Sequence, residues 1–253
     1  IQGREDLVKY FSEKVDTYAI HKNPIYAAMV KSLDSSVGRV IESLESEGVL
    51  EDTLIVFTSD NGGLTQRYGN HDNFTENLPL RRGKGSAYEG GVRVPAIASW
   101  PGFIPEGVKS DTPIMTIDYY PTFLEVSGAS GVASHNEYMD GRSLVPVFTK
   151  PTQTIRRNLF WHYPHYHAGG DGPYSAIRSG NWRLIEFHET GRVELYNLNK
   201  DISETHDSSE INLKTRDQLR HRLNSWRASV AVQMPVPNPN YDPARETEVV
   251  RNR

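Results

Sequence analysis

Residues 53–58, Thr-Leu-Ile-Val-Phe-Thr, form an unbroken β-prone run without alternation, the pattern of a strand buried on both faces in a parallel sheet. Ahead of it, Ile25, Met29, Leu33, Val37, Val40, Ile41 and Leu44 recur at three- and four-residue steps. Asn23 suits the cap of such a helix, Pro24 its first turn and Gly48 its end. The spacing predicts a crossover helix leading into the 53–58 strand, with its apolar stripe in the core. A shorter helix is predicted near residues 5–11. A second strand is predicted over 92–100, with Pro95 placing it at an edge or bulge, and a helix over 117–126 ending near Gly128.

The pattern changes at Lys150 and Pro151. Beyond them, the segments at 158–162, 175–178, 182–187 and 193–197 predict strands, the middle two joined at Gly180 and Asn181. Leu213, Leu219, Leu223 and Trp226 give helical spacing over 211–230. The chain therefore reads as α/β, with residues 1–150 belonging to a mostly parallel α/β domain. Residues 151–253 read as a small antiparallel sheet packed on one helix.

Composition narrows this picture only slightly. A 37% hydrophobic fraction over 253 residues is enough for a core. The 28 basic and 32 acidic residues leave −4, which offers a nucleic-acid partner no basic surplus. No apolar run reaches the ~18 residues that span a bilayer. The lack of cysteine excludes disulfides and thiolate metal sites.

The candidate chemistry begins where the 53–58 run stops. Asp60 and Asn61 place a carboxylate and an amide oxygen at the carboxyl end of a strand, where open α/β sheets bind ligands. Oxygen donors of this kind suit Ca²⁺, with Mg²⁺ as the alternative. About twenty residues on, Arg81, Arg82 and Lys84 lie among Gly83 and Gly85, a setting for an oxyanion. His71 and Asp72, in the polar loop between, are candidate substrate contacts, whereas His21 reads as a surface residue. In the second part, Trp161, His162, Tyr163, Pro164, His165, Tyr166 and His167 alternate histidine with aromatic rings. Such side chains suit a sugar ring and its hydroxyls, with His165 and His167 as the contacts; zinc ligation and plain edge-strand packing are the competing readings.

Asp60-Asn61-Gly62-Gly63, then Lys84-Gly85, then the run YEGGVRVPAIASWPG over residues 88–102 resemble the formylglycine-dependent sulfatases of the alkaline phosphatase superfamily. The resemblance extends along the whole chain but represents the C-terminal half of such a protein. It implies an alkaline-phosphatase-like sandwich, and Asp60 and Asn61 as two ligands of a divalent metal. It also implies Lys84 as a catalytic cation that binds the sulfate or leaving oxygen, and a sulfated glycan or aryl sulfate ester as substrate. The formylglycine nucleophile, its helper arginine, further metal ligands and a sulfate-binding histidine are then expected from a missing N-terminal half of the same protein, ahead of Ile1. Ser99-Trp100-Pro101 lacks the arginine of the nucleophile motif and reads as structural. By resemblance the compartment is periplasmic, secreted or lysosomal. A phosphodiesterase or phosphonate hydrolase of the same superfamily, or a noncatalytic carbohydrate-binding subunit, stands as the alternative. The sulfatase reading requires Asp60, Asn61 and Lys84 to converge at the rim of one sheet.

Overall fold

The computed structural model describes residues 2–16, 18–65, 73–166 and 170–243. Helix α1 (Glu5–Ser12) is followed by α2 (Pro24–Ser46), where Asn23 Oδ1 accepts from the amides of Ile25 and Tyr26 at 3.0 and 3.1 Å. Strand β1 (Ile55–Thr58) pairs with β2 (Ala96–Ser99) in a two-stranded sheet. Between them lies a short helix, α3 (Glu89–Val92), which the pair of glycines in its sequence did not signal. A 3₁₀ turn (Thr116–Asp118) leads into α4 (Tyr119–Ser127), followed by α5 (Ala133–Asn136) and α6 (Val145–Thr149). Strands β3 (Asn158–Tyr163), β4 (Tyr174–Ser179), β5 (Trp182–Phe187) and β6 (Val193–Asn197) form an antiparallel meander in the order 3-4-5-6, and α7 (Leu213–Ser229) follows.

The architecture is the expected α/β one, with two local corrections. The β1–β2 pair is antiparallel, with Ile55 opposite Ser99, and β1 is only half-buried. An unbroken apolar run reports coverage of both faces; it carries no information about the direction of a neighbour. The stripe of α2 is also not in a core. Of its residues only Ala28 is buried, while Met29, Leu33 and Val40 are 37%, 51% and 58% exposed. Helix α2 packs on α1, and the rest of its apolar row lacks a covering layer among the described residues.

The four-stranded sheet buries both faces, since successive side chains of a strand point to opposite sides and the central strands β4 and β5 carry consecutive buried residues. One face sets Ile177, Leu184 and Leu195 against Leu219 and Leu223 of α7, and Phe160 stacks on Trp226 at 4.7 Å. The other sets Ala176, Ile185, Phe187 and Tyr196 against Ala87 and Tyr88. Those last two residues belong to the first 150. The core of the second sheet is therefore completed by the segment just ahead of α3, across the expected boundary at Lys150 and Pro151. A buried pair between Arg157 and Asp118 crosses the same boundary, and Asp118 also accepts from the amides of Met115 and Arg142 at 2.8 and 3.0 Å.

Leu223 is fully buried and Leu33 half-exposed. In this 253-residue chain Leu223→Ala is expected to cost about 2–5 kcal/mol of unfolding free energy, and Leu33→Ala about 0.5 kcal/mol or less. Urea denaturation followed by circular dichroism measures both, and equal costs would contradict the burial assigned to the two helices.

Candidate active site

Strand β1 ends at Thr58, and the chain turns at once: Ser59 Oγ donates to the Asn61 carbonyl at 3.0 Å, and the Asn61 amide donates to Asp60 Oδ1 at 2.9 Å. The turn is bolted to the Arg81–Gly91 segment. Gly62 N donates to the Gly91 carbonyl at 2.9 Å, and Lys84 N to the Gly63 carbonyl at 3.1 Å. Asn77 joins the two stretches from the side. Its Oδ1 accepts from Gly63 N at 3.2 Å, while Nδ2 faces the carbonyls of Gly63, Arg82 and Gly90 at 3.0, 2.9 and 3.3 Å. A Cβ on Gly62 would lie 1.7 Å from the Gly90 carbonyl oxygen, and one on Gly83 would lie 2.2 Å from that of Gly63. At these two positions the missing side chain makes room for backbone.

Asp60, Asn61 and the Lys84 backbone are thus neighbours, twenty-odd positions apart in sequence. Asp60 and Lys84 are exposed and Asn61 half-buried. Asp60 Oδ2 and Asn61 Oδ1 carry no hydrogen bond among the described residues. Both oxygens fit a hard cation, but they supply two of the ~6–8 that Ca²⁺ takes. Among the described residues no group of three or more carboxylate or histidine side chains is gathered for a metal. Asp60 and Asn61 line a cavity of about 830 Å³ together with Arg93, Ile97, Trp161 and Arg178; Lys84 and His165 are not in its wall.

The flanking arginines, which the sequence grouped with Lys84 as a setting for an oxyanion, are bonded to protein groups. Arg81 donates to the Tyr196 hydroxyl at 3.1 Å and the Glu204 carbonyl at 2.8 Å, and lies 3.9 Å over the Tyr88 ring. Arg82 donates to Asp171 at 3.1 Å and holds a left-handed backbone at φ 60°. The histidine cluster divides as well. His162 faces the α7 side, bonded to Ser175 Oγ at 2.8 Å and the Gln233 carbonyl at 3.0 Å, while Trp161 and Tyr163 pack against the opposite core. His165 is exposed, its ring edge-on to Tyr163 at 5.4 Å. His71, Asp72 and His167 lie outside the described residues.

Beneath the Lys84 segment sits a charge cluster that sequence reading missed. Arg183 is fully buried on β5 and donates to Glu89 at 2.9 Å and to the Ala87 carbonyl. Its Nε lies 3.4 Å from Glu204, whose other oxygen accepts from Glu89 N at 2.7 Å. Tyr88 and Tyr196 both donate to Glu194, at 2.8 and 2.9 Å, and burial beside that carboxylate raises both phenols well above the ordinary tyrosine range. An arginine at an inward position of an apolar strand was a readable signal for a buried acid. Glu204 sits in a polar loop and Asn77 in another, and neither announces its partner.

Comparison with known proteins identifies relatives of this arrangement. Residues 6–129 match the family described as Sulfatase, and residues 83–229 that described as N-sulphoglucosamine sulphohydrolase, C-terminal. A protein named Sulfatase from Formosa agariphila is 35% identical over 247 residues, covering 89% of this chain and 43% of its own length. The crystal structure of Ps i-CgsB in complex with k-i-k-neocarrahexaose matches with a TM-score of 0.72 at 29% identity, covering 99% of this chain and 52% of that one. The structure of BT4656 in complex with its substrate D-glucosamine-2-N,6-O-disulfate gives 0.67 at 25% identity, covering 90% and 46%. The chain spans about half the length of the relatives it matches.

Burial lifts the Glu204 carboxyl from 4.5 to about 7, against the pull of Arg183. A carboxyl whose folded value is raised favours the protonated folded state. Its stabilisation is complete below 4.5 and is lost as pH rises through about 7. At 1.36 kcal/mol per unit this amounts to about 3 kcal/mol. Thermal unfolding scans between pH 5 and 8 are expected to show a falling midpoint that Glu204→Gln flattens; equal slopes in both proteins would contradict this.

Proposed function

This chain belongs to the sulfatase family, and on that premise we propose that it forms the C-terminal half of a sulfuric ester hydrolase acting on a sulfated carbohydrate. The observation that carries the reading is the lock between the two turns. Lys84 N on the Gly63 carbonyl and Asn77 across both bring the Lys84 backbone beside the Asp60–Asn61 turn at the end of β1. The sugar substrate is supported by the glycan ligands of Ps i-CgsB and BT4656 and by the exposed His165. His165 and His167 are assigned to contacts with the sugar.

Breaking an S–O ester bond moves negative charge onto the bridging oxygen and leaves it on the sulfuryl oxygens. A fixed ammonium beside those oxygens stabilises the charge as it develops, without solvent having to reorganise. That is the role of Lys84. Asp60 and Asn61 would hold Ca²⁺, or Mg²⁺, through Oδ2 and Oδ1. When bound, the ion supplies Lewis-acid polarisation of a sulfate oxygen.

The nucleophile, a formylglycine, and the remaining metal oxygens are assigned to an N-terminal half of the same protein. Two features of this chain support that assignment. Asp60 and Asn61 leave the metal shell incomplete, and the apolar row of α2 is exposed where a further layer would cover it.

In the full-length protein, Lys84→Ala is expected to lower kcat for an aryl sulfate by about 10²–10³-fold. Chelation with EDTA should abolish turnover and added Ca²⁺ restore it, while residues 1–253 alone show none. A Lys84→Ala enzyme with parental kcat, or turnover by the isolated chain, would refute the assignment.

A further inference from the structure

The Lys84 turn is gripped from two sides, and only one grip is explained by the Asp60–Asn61 turn. The other comes from the connection between β3 and β4. Asp171 N donates to the Gly85 carbonyl at 3.1 Å. Asp171 Oδ2 accepts from Ala87 N at 2.8 Å, and Oδ1 from Arg82 Nη1 at 3.1 Å. One residue therefore holds the chain at 82, 85 and 87, on both sides of Lys84.

The approach is close. A Cβ on Gly170 would stand 2.0 Å from the Gly85 carbonyl oxygen, so the two backbones touch without side chains between them. The Asp171 side chain is 10% exposed and that of Arg82 54%. Arg82 holds its left-handed backbone at the start of the gripped stretch, a conformation that costs a non-glycine residue about 1 kcal/mol and persists only when neighbours enforce it. His188 N donates to the Pro173 carbonyl, and one residue further on the chain is already in the ladder, with Tyr174 opposite Phe187, so Asp171 is anchored to the four-stranded sheet.

We infer that Asp171 is a positioning residue that sets Lys84 at the reaction centre through its hold on residues 82, 85 and 87. Both carboxylate oxygens are engaged with the turn, so Asp171 acts through Lys84 and not on the substrate. The inference rests on the sulfatase reading for its kinetic arm alone.

The test is a double-mutant cycle in the full-length protein with an aryl sulfate, paired with amide hydrogen exchange. Asp171→Ala is expected to lower kcat by about tenfold or more through misplacement of the lysine. In a Lys84→Ala background the same change should cost about twofold or less, because the route through Lys84 is already gone. Exchange at Ala87 N–H should accelerate in Asp171→Ala while β4–β6 stay protected. Should Asp171→Ala fail to fold, the isosteric Asp171→Asn serves, with a loss in the same direction and the same non-additivity. Equal losses in both backgrounds, or unchanged exchange at Ala87, would overturn the inference. Absence of sulfatase turnover in the parent would sink the functional reading instead, and the exchange result would then decide the placement of Asp171 by itself.

Discussion

The pairing of Arg183 with Glu89 is the constraint on which the site depends. Both side chains are out of contact with water, with Glu204 also 3.4 Å from Arg183 and Arg178 3.5 Å from Glu89. Removing one partner of a buried pair costs about 3–5 kcal/mol, whereas the intact pair gains little or nothing over an apolar alternative. Its value here is directional. Arg183 stands at an inward position of β5 and also reaches the Ala87 carbonyl, so the helix start at Glu89 and the chain before it have one seat on the sheet. Glu204 caps the same place from a distant loop through Glu89 N.

Around that pair the interior is polar in an ordered way. Glu194 receives two tyrosine hydroxyls, Arg81 lies over one of those rings, and Tyr88 fills the hydrophobic core beside Phe187 and Ile185. The same segment is thus both core and support for the Lys84 turn. Lys84 reaches solvent because Ala87 and Tyr88, three and four residues on, do not.

Much of the fold was legible because its signals are local. The strands of the second sheet are short apolar and aromatic runs bounded by turn residues, Asn23 and Pro24 announce α2, and Gly128 closes α4 in the left-handed region. The candidate site was legible at Asp60, Asn61 and Lys84 because their residue types and glycine settings stand together in sequence. What escaped is set by pairings more than eighty residues apart. Arg82 finds Asp171 and Arg183 finds Glu89, and no short-range pattern encodes either. The α2 stripe marks a different limit. Amphipathic spacing shows that a face is apolar, but the layer that covers it must be found elsewhere, and its residues remain half-exposed here.

The way Ala87 and Tyr88 enter the core of the four-stranded sheet moves the natural seam of the molecule. Anyone exchanging this C-terminal unit with that of a relative, to graft a new substrate preference, would choose the composition change at Lys150 and Pro151. A cut there leaves the foundations of one parent's lysine turn in the other parent's sheet. The exchangeable module begins upstream of Arg81, so an exchange of the four-stranded sheet must carry the Lys84 turn along with it.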